Sequence, residues 1–454
     1  MKQTHARKAE NFVANEARVD WHSAALLMLR DKRDLQAKSL PEWEQMRETA
    51  SRMKLHVLSH LPELLRQFAD DCEANGMQVH WARDALEHNQ IVAGILKARG
   101  KKKLVKSKSI LTEEVHLVPH LEEQGIECIE TDLGERILQL RHEPPSHIVV
   151  PAIHLKKEEI GELFHEKLGT RAGASDPTYL THAARESMRQ DFLSADAAMT
   201  GVNMAIASEG AFVVCTNEGN ADMGAHLPDL HIAVMGMEKI VPDPESAALL
   251  MRMLARNATG QPSTSYNSIF GAPRPGTEMH IVIVDNGRSR RMTDRRHAEI
   301  YKCIRCGACI NTCPVYRRGG GHSYNYFIPG PIGLAIAGDN PDANSEAWAC
   351  TLNGSCNNVC PVKVPLRETI AYHREQLAQQ KRLPYGKNFY MPVVGRIFGH
   401  PRLLSLAMAA ARVGLRILPH GLQSSLGGSW AKSRDFPVVP SDSFANWYRK
   451  NRGA

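Results

Sequence analysis

The spacing of apolar residues changes twice along the chain. Residues 1–75 are charged and carry leucines three or four positions apart, such as Leu58, Leu61 and Leu65, which predicts helices. From residue 76 to 286, short apolar runs alternate with helix-length segments, and this predicts an α/β layer fold with a largely parallel sheet. The runs predicted as strands are KKLVKSKS, IECIETD, HIVVPAI, GAFVVCT, LHIAVMGM and MHIVIVDN.

Residues 295–375 contain most of the cysteines, between segments whose apolar spacing is helical. The 36 residues between Cys313 and Cys350 make too long a spacer for a compact β-rich ferredoxin repeat. A helical dicluster domain is therefore predicted here. Residues 376–454 follow as an amphipathic helical tail with many arginines.

Seven of the ten cysteines form two runs with iron–sulfur spacing. CIRCGACINTCP matches C-x2-C-x2-C-x3-C-P, in which the fourth cysteine binds the other cluster of a pair. CTLNGSCNNVCP keeps the pattern except for Asn353. A zinc site uses similar spacing, but two runs ending in Cys-Pro favour two clusters. The predicted ligands are Cys303, Cys306, Cys309 and Cys360 for the first cluster, and Cys313, Cys350 and Cys356 for the second.

Asn353 occupies the place of a fourth ligand to the second cluster. Its amide oxygen is neutral and harder than a thiolate, so it should be a poor iron ligand. The first cluster is predicted to be [4Fe–4S], and the second [3Fe–4S] or a [4Fe–4S] cluster with an outside ligand. The alternative is that a nearby side chain supplies the fourth bond, and His322 is a candidate for that role.

Polar residues after two predicted strands form a candidate ligand crevice. Asn217, Glu218 and Asn220 follow GAFVVCT, and Asp132 and Glu135 follow IECIETD's apolar part. The carboxyl ends of strands are where open α/β sheets bind ligands. Turn geometry and the preference of helix N-termini for acids explain the same residues without a ligand.

Three further features allow two interpretations each. The basic run 97–108 predicts either an anion-binding surface or a solvated helix end. Tyr324 and Tyr326 belong to a loop that either shields a cluster or meets a partner, unless it is a flexible linker. The three remaining cysteines are predicted to be buried thiols: Cys72, Cys128 and Cys215.

Composition and the ends of the sequence give limited information about partners and localisation. With 56 basic and 49 acidic residues the net charge is +7, which requires no nucleic acid partner. The first residues contain no apolar signal segment, and arginines interrupt the apolar tail, so no transmembrane segment is predicted. A cytoplasmic protein is expected, with peripheral association at the inner face of the membrane as an option.

Several long motifs resemble one family: KSKSILTEEVHL, GIECIETDLGERILQL, TGVNMAIASEGAFVVCTNEGN, HIAVMGMEKIVP and SRDFPVVPSDSF. Together with the cysteine runs they resemble lactate-utilisation protein B, the iron–sulfur subunit of bacterial L-lactate oxidation. The resemblance implies a CoA-transferase or sugar-phosphate-isomerase-like lactate-utilisation domain fused to an α-helical dicluster ferredoxin domain. It also implies partners, lactate-utilisation proteins A and C, and an unidentified respiratory electron acceptor. Asn353 departs from the family, which commonly has cysteine there.

The function predicted from these features is electron transfer within an L-lactate-oxidising complex, without a complete catalytic site in this chain. One alternative is an enzyme that acts on a small acid or acyl substrate in the α/β domain, with the clusters as its redox partners. The other is an assembly subunit whose clusters are structural.

Overall fold

The computed structural model divides the chain into two compact units, Met1–Glu375 and Gln376–Ala454. It describes residues 4–338, 344–383, 386–419, 421–423 and 442–452, together with residues 425, 431, 434, 439 and 440. The strands are β1 Gln78–Ala82, β2 Lys103–Lys106, β3 Glu127–Glu130, β4 Ala197–Gly201, β5 Met204–Ile206, β6 Ala211–Thr216, β7 Leu230–Gly236, β8 Ile240–Val241, β9 Tyr266–Phe270 and β10 Glu278–Val284.

Helices surround these strands and form the cysteine-rich part of the first unit. They are α1 His5–Val13, α2 Glu16–Lys38, α3 Trp43–Ser59, α4 Leu61–Ala74, α5 Ala85–Ala98, α6 Ile110–Glu114, α7 Leu117–Glu123, α8 Leu133–Arg141, α9 Lys157–Leu168, α10 Pro177–Leu193, α11 Asn220–His226, α12 Pro244–Ala258, α13 Arg288–Met292, α14 Arg295–Ala298, α15 Ala308–Asn311, α16 Pro314–Gly319, α17 Gly330–Ile336, α18 Asn344–Ala349, α19 Ser355–Val359 and α20 Leu366–Gln379. Short 3-10 helices cover Ala207–Glu209, Met237–Lys239, Glu299–Lys302 and Gly321–Ser323.

A six-stranded parallel sheet, in the order β1-β10-β7-β4-β2-β3, forms the centre of the α/β part. Every residue of β7 is buried, as expected for a central parallel strand covered on both faces. A smaller sheet has the order β8-β5-β6-β9. The connections from β2 and from β4 run towards opposite edges of the large sheet, so the crevice between these two neighbours is a topological switch point.

Two of the longer helices, α10 and α12, begin at aspartates that supply hydrogen-bond acceptors to free backbone N–H groups. Asp176 accepts from the N–H of Tyr179 at the start of α10, and Asp243 accepts from that of Ser246 at the start of α12. In both helices proline follows the cap, where its missing N–H costs no hydrogen bond.

Five of the six predicted strand runs contain strands of the structure, and the α/β architecture is confirmed. HIVVPAI is the exception, because this segment folds back on itself. The N–H of Ser146 donates to the carbonyl of Pro151 at 3.0 Å, and the N–H groups of Val149 and Val150 donate to Nδ1 of His147. Its apolar side chains pack inside the unit without joining a sheet.

The N-terminal helices pack against the cysteine-rich segments. Leu26 of α2 and Met46 of α3 share a buried core with Cys309, Cys313 and other cysteines. The predicted helical character of the dicluster region is confirmed by the short helices α14–α19 and by α20.

The second unit contains α21 Lys387–Phe398, α22 Pro401–Ile417 and a last helix, Phe444–Asn451. None of the described residues of these three helices is buried. SRDFPVVPSDSF lies largely outside the described residues. In the part of the chain that the structure describes, no helix is long and apolar enough to cross a membrane.

Candidate iron–sulfur centre and adjoining cavity

The two cysteine runs fold into loops with the same backbone conformation. Arg305 and Leu352, each two residues after the first cysteine, have positive φ angles of 61° and 55°. Gly307 and Gly354, two residues further on, have φ angles of 75° and 77° and precede the short helices α15 and α19. Asn353 therefore lies at the structural equivalent of Cys306.

In both loops, a backbone N–H group donates a hydrogen bond to the sulfur of the first cysteine. The residue two positions after Cys303 donates its N–H to Sγ at 3.3 Å, and the same bond at Cys350 measures 3.4 Å. Val364 donates to Sγ of Cys360 at 3.3 Å. Such hydrogen bonds stabilise a thiolate and are among the features that tune cluster potentials.

Asn353 and Cys306 differ in their surroundings although their backbones correspond. Cys306 is buried. Asn353 is exposed, and its Oδ1 accepts a hydrogen bond from the N–H of Ser355 at 3.0 Å. The amide oxygen is thus used in a local turn at the start of α19.

Four cysteines line one small cavity of the first unit: Cys303, Cys306, Cys309 and Cys360. Most other side chains around it are apolar, including those of Ile332 and Val362. Burial raises the pKa of Cys306, and the neighbouring sulfurs of Cys303 and Cys360 raise it further. The last cysteine of the second run thus lies with the first three of the first run.

Cys313, Cys350 and Cys356 form a second group. Burial raises the pKa of Cys356 to about 12, and Cys313 and Cys350 contribute to the same shift. Burial likewise raises the pKa of Cys313 to about 11. Tyr324 is buried close to Cys313 and Cys350, so this residue of the long loop shields the second group.

The donor set fits iron–sulfur clusters. Thiols with raised pKa values keep their protons until a metal displaces them, and soft thiolates are the ligands that such iron centres prefer. Within the described ranges, no three His, Cys, Asp or Glu side chains converge as the ligands of one metal ion do. The four sulfurs of the first group instead surround a common space.

A larger cavity of about 470 Å³ opens at the carboxyl ends of the parallel strands. Lys108 after β2, Asp132 after β3, Asn203 after β4 and Gly236 at the end of β7 all line it. It includes the switch point between β2 and β4, which is where open α/β sheets bind ligands.

The predicted crevice residues lie at this cavity with one exception. Asn217, Glu218, Asn220 and Asp132 line it, and Glu135 does not. Burial raises the pKa of Glu218. A role of these residues in ligand binding stays a prediction.

Local bonds explain some of these side chains. Asp132 accepts from the N–H of Gly134 as the cap of α8, as the helix-terminus interpretation requires. Glu135 is buried and forms an ion pair with Lys108 at 3.3 Å. Burial raises the pKa of Glu135 well above its usual range even though Lys108 opposes the shift.

Charged residues that the sequence analysis did not select line the end of the cavity near the cysteines. Arg288 donates to Glu238 and to Glu114 with shortest distances of 2.7 Å, and Arg305 approaches Glu238 at 3.4 Å. Lys239 also lines this end. Glu238 lies two residues after the end of β7, as Glu218 lies two residues after the end of β6, and Lys239 comes next, so the rule that selected Glu218 would have selected them too.

The basic run 97–108 is not a free anion-binding surface, whereas Lys97, exposed in the last turn of α5, agrees with a solvated helix end. Lys101 pairs with Asp229 at 2.6 Å and Lys103 with Asp191 at 2.8 Å. Lys106, fully buried, pairs with Glu130 at 2.8 Å. Carboxylates therefore neutralise most of this basic charge, mainly in partly exposed ion pairs.

The remaining candidates have local partners. His322 is exposed, and its Nε2 bonds the carbonyl oxygen of Pro144 at 2.9 Å. Tyr326 is partly buried. Cys72 and Cys128 are buried thiols as predicted, whereas Cys215 is only partly buried and lines the cavity.

Comparison with known proteins identifies the family of the chain. Residues 65–292 match the LUD domain family, and residues 299–364 match the 4Fe-4S dicluster domain family. Lactate utilization protein B 1 of Bacillus mycoides is 40% identical, over 93% of this chain and 91% of its own length. The chain belongs to the lactate utilization protein B family.

Other members include lactate utilization protein B of Bacillus pumilus, 39% identical over 95% of this chain and 93% of its own. A protein of Escherichia coli described as the uncharacterized electron transport protein YkgF is 39% identical, over 91% of this chain and 89% of its own. The predicted family and its combination of an α/β LUD domain with a dicluster domain are confirmed, and the chain is an iron–sulfur protein.

Proposed function

We propose that this protein is the electron-transfer subunit of an L-lactate-oxidising complex, with lactate-utilisation proteins A and C as partners. The observation that carries the proposal is the pair of interleaved cysteine groups, six of whose seven members lie in or against one buried core while four line one cavity. The clusters, when bound, accept and release single electrons. Two relatives named lactate utilization protein B and one named an electron transport protein support the assignment.

The cysteines are proposed to bind in the crossed arrangement expected from their order. Cys303, Cys306 and Cys309 hold the first cluster together with Cys360, because these four share one cavity. Cys313 binds the second cluster with Cys356, which is buried in the same core, and with Cys350, which packs against that core. Backbone N–H groups at three of the sulfurs supply further stabilisation of the thiolates.

The second site is proposed to lack a fourth protein ligand. Its loop has the same backbone as the first loop, but the Asn353 oxygen already accepts a hydrogen bond within the loop. The site therefore holds either [3Fe–4S] or a [4Fe–4S] cluster whose fourth ligand is water, hydroxide or a group of a partner. Because Asn353 is exposed, an outside ligand can reach this position.

The N-terminal helices hold the second run in place. Arg33 of α2 donates to the carbonyl oxygen of Val359 at 3.1 Å. Arg47 of α3 donates to that of Cys360 through Nη2 at 2.8 Å. We infer that these helices fix the position of Cys360 within the first group, which limits structural change when the charge of the cluster changes.

Anaerobic reduction kinetics of the purified protein test the proposed function. L-lactate should reduce the clusters rapidly only when proteins A and C are present, and the isolated chain should show no turnover. Turnover of a small acid by the chain alone would instead favour an enzyme. Clusters that stay unreduced in the complete complex would favour a structural role.

A further inference from the structure

The two cysteine groups differ in the side chains that lie beside their second ligand position. In each group, one residue directly precedes the third cysteine of its own run, and another directly precedes the last cysteine of the other run. For the first group these residues are Ala308 and Val359, which pack with Cys306 in a small apolar cluster. For the second group they are Ser355 and Thr312. Two hydroxyl groups therefore replace two apolar side chains.

These hydroxyl groups lie beside Asn353. The hydroxyls of Ser355 and Thr312 are hydrogen-bonded to each other and so connect the two loops. Ser355 also donates its N–H to Oδ1 of Asn353 at 3.0 Å. Because Asn353 lies at the structural equivalent of Cys306, the hydroxyl pair lies at the corner of the second group that has no thiolate.

Helix α2 passes both corners and places an arginine at each. Nη2 of Arg33 donates to the carbonyl oxygen of Val359 at 3.1 Å. Nη1 of Arg30, three residues earlier, donates to the hydroxyl oxygen of Thr312. Asp34 pairs with both arginines at 2.8 Å, and among the described residues it is the only carboxylate within 4.0 Å of Arg30. One carboxylate thus balances two guanidinium groups, and the second corner lacks the thiolate that adds negative charge at the first.

The hydrogen bonds of this polar set leave donors unused. Thr312 and Ser355 have two hydroxyl protons, and the bond between them uses one. Nη1 of Arg30 donates to both oxygens, at 3.4 Å to that of Ser355. Among the described residues, the other hydroxyl proton has no acceptor, and Nη2 of Arg30 has none either. An anion at this corner would accept from these donors.

We propose that Arg30, Thr312 and Ser355 form a binding site for a small anion at the open corner of the second cluster. Hydroxide from water is the simplest such anion, and others of similar size exchange with it. The anion supplies the negative charge that the missing thiolate does not, and it accepts hydrogen bonds from the unused donors. This site depends on the open position proposed above, but testing it requires neither lactate nor partner proteins. It can therefore fail separately from the electron-transfer function.

Azide is the probe, because it is a small anion that bonds to iron and accepts hydrogen bonds at its free end. The full-length protein is prepared anaerobically with ferrous iron and dithionite, so that an open position carries its iron. Azide should change the EPR signal of the second cluster saturably and leave that of the first unchanged. It should also lower the second potential, since added negative charge stabilises the oxidised form. No change in either signal, or a change in the first alone, would overturn the proposal.

Substitutions taken from the first group test the side chains. Thr312→Val combined with Ser355→Ala gives the second corner the residues of the first, where the backbone is the same. Azide affinity should fall at least about tenfold with unchanged iron content, because a hydrogen bond to a charged group is lost. Arg30→Gln should have a similar effect, and Arg30→Lys should recover part of the affinity. Native affinity in the double variant and in Arg30→Gln would refute the site.

Two further variants serve as controls. Arg52→Gln, at an exposed arginine of α3, should bind azide as the native protein does. Asn353→Cys should not respond to azide, because a fourth thiolate occupies the open position. If the double variant fails to assemble clusters, Ser355→Ala alone, which removes a partly exposed hydroxyl group, answers the same question. A response to azide that persists in Asn353→Cys would place the anion elsewhere.

Discussion

Replacing Glu238 with glutamine tests the charge network at the junction between the α/β part and the cysteine loops. Glu238 is 2% exposed and lies between Arg288, at 2.7 Å, and Arg305, at 3.4 Å. Burial disfavours its charged form, but the two arginines outweigh burial and lower its pKa from 4.5 to about 2. Glutamine keeps the shape of the side chain and removes the charge.

The magnitude follows from this pKa. A difference of about 2.5 pK units between the folded and unfolded states corresponds to about 3 kcal/mol. Removing one member of a buried ion pair costs a similar amount, about 3–5 kcal/mol. With an unfolding entropy of about 2.1 cal/mol/K per residue over residues 1–375, a loss of 3 kcal/mol lowers Tm by about 4 °C.

The pH dependence of this difference has a defined sign. Because the folded-state pKa is lowered, the stabilisation is fully present above the unfolded pKa of 4.5 and is lost as pH falls towards 2. The gap in Tm between native protein and Glu238→Gln should therefore be constant from pH 8 to 6 and smaller by about a quarter at pH 4.

Thermal unfolding followed by anaerobic circular dichroism measures both effects. The matched control is Glu122→Gln, since Glu122 is exposed on α7. If Glu238→Gln lowers Tm no more than the control does, or if its gap widens towards pH 4, Glu238 does not stabilise the junction as an ionised group.

Three shorter predictions concern the clusters and the tail. Cys360→Ser should weaken the same EPR signal as Cys306→Ser, and Cys313→Ser the other; loss of only the second signal in Cys360→Ser would contradict the crossed arrangement. Asn353→Cys should give a second cluster that is held by four thiolates and has a lower potential. The hypothesis of an open fourth ligand position would be refuted if the potentials were unchanged in this variant and the native second cluster kept its iron on oxidation and bound no added thiol. A chain ending at residue 383 should keep both clusters but no longer co-purify with proteins A and C, because α21 and α22 expose apolar side chains; unchanged binding would remove them from the interface.

Much of the fold follows from local patterns in the sequence. The runs at β7 and β10 are largely apolar because both faces of a central parallel strand are covered. The cysteine spacing predicted two groups, and the structure brings Cys360 into a cavity with Cys303. Segment 147–153 was predicted wrongly because an apolar run looks the same whether it pairs in a sheet or packs as a folded loop.

The cationic end of the cavity was missed because it joins distant parts of the chain. Arg305 lies between two cysteines and looks like part of a cluster loop, yet it approaches Glu238, 67 positions earlier. Lys239 lies three residues after the end of β7, but nothing in the sequence indicates that it lines the same cavity as Arg305. Such a site becomes visible only when the ion pairs of neighbouring residues are known.

Under the proposed ligation, the two clusters would differ in charge, and this difference would bear on the direction of electron flow. Asn353 in place of a cysteine would leave the second cluster one thiolate short, which would raise its potential. The positive charge of Arg305 near Cys303 would raise the potential of the first cluster, and Glu238 would partly cancel this effect. A ligand bonded to iron acts at a shorter distance than a guanidinium in the neighbouring cavity wall. The missing thiolate should therefore have the larger effect, and the second cluster should have the higher potential.

Glu238→Gln should then narrow the difference in potential between the two clusters by raising that of the first. Asn353→Cys should narrow the same difference by lowering the potential of the second cluster. Measuring both variants and their combination would therefore separate the contribution of the ligand set from that of the buried charges, and a wider difference in either single variant would show that this charge balance does not set the potentials.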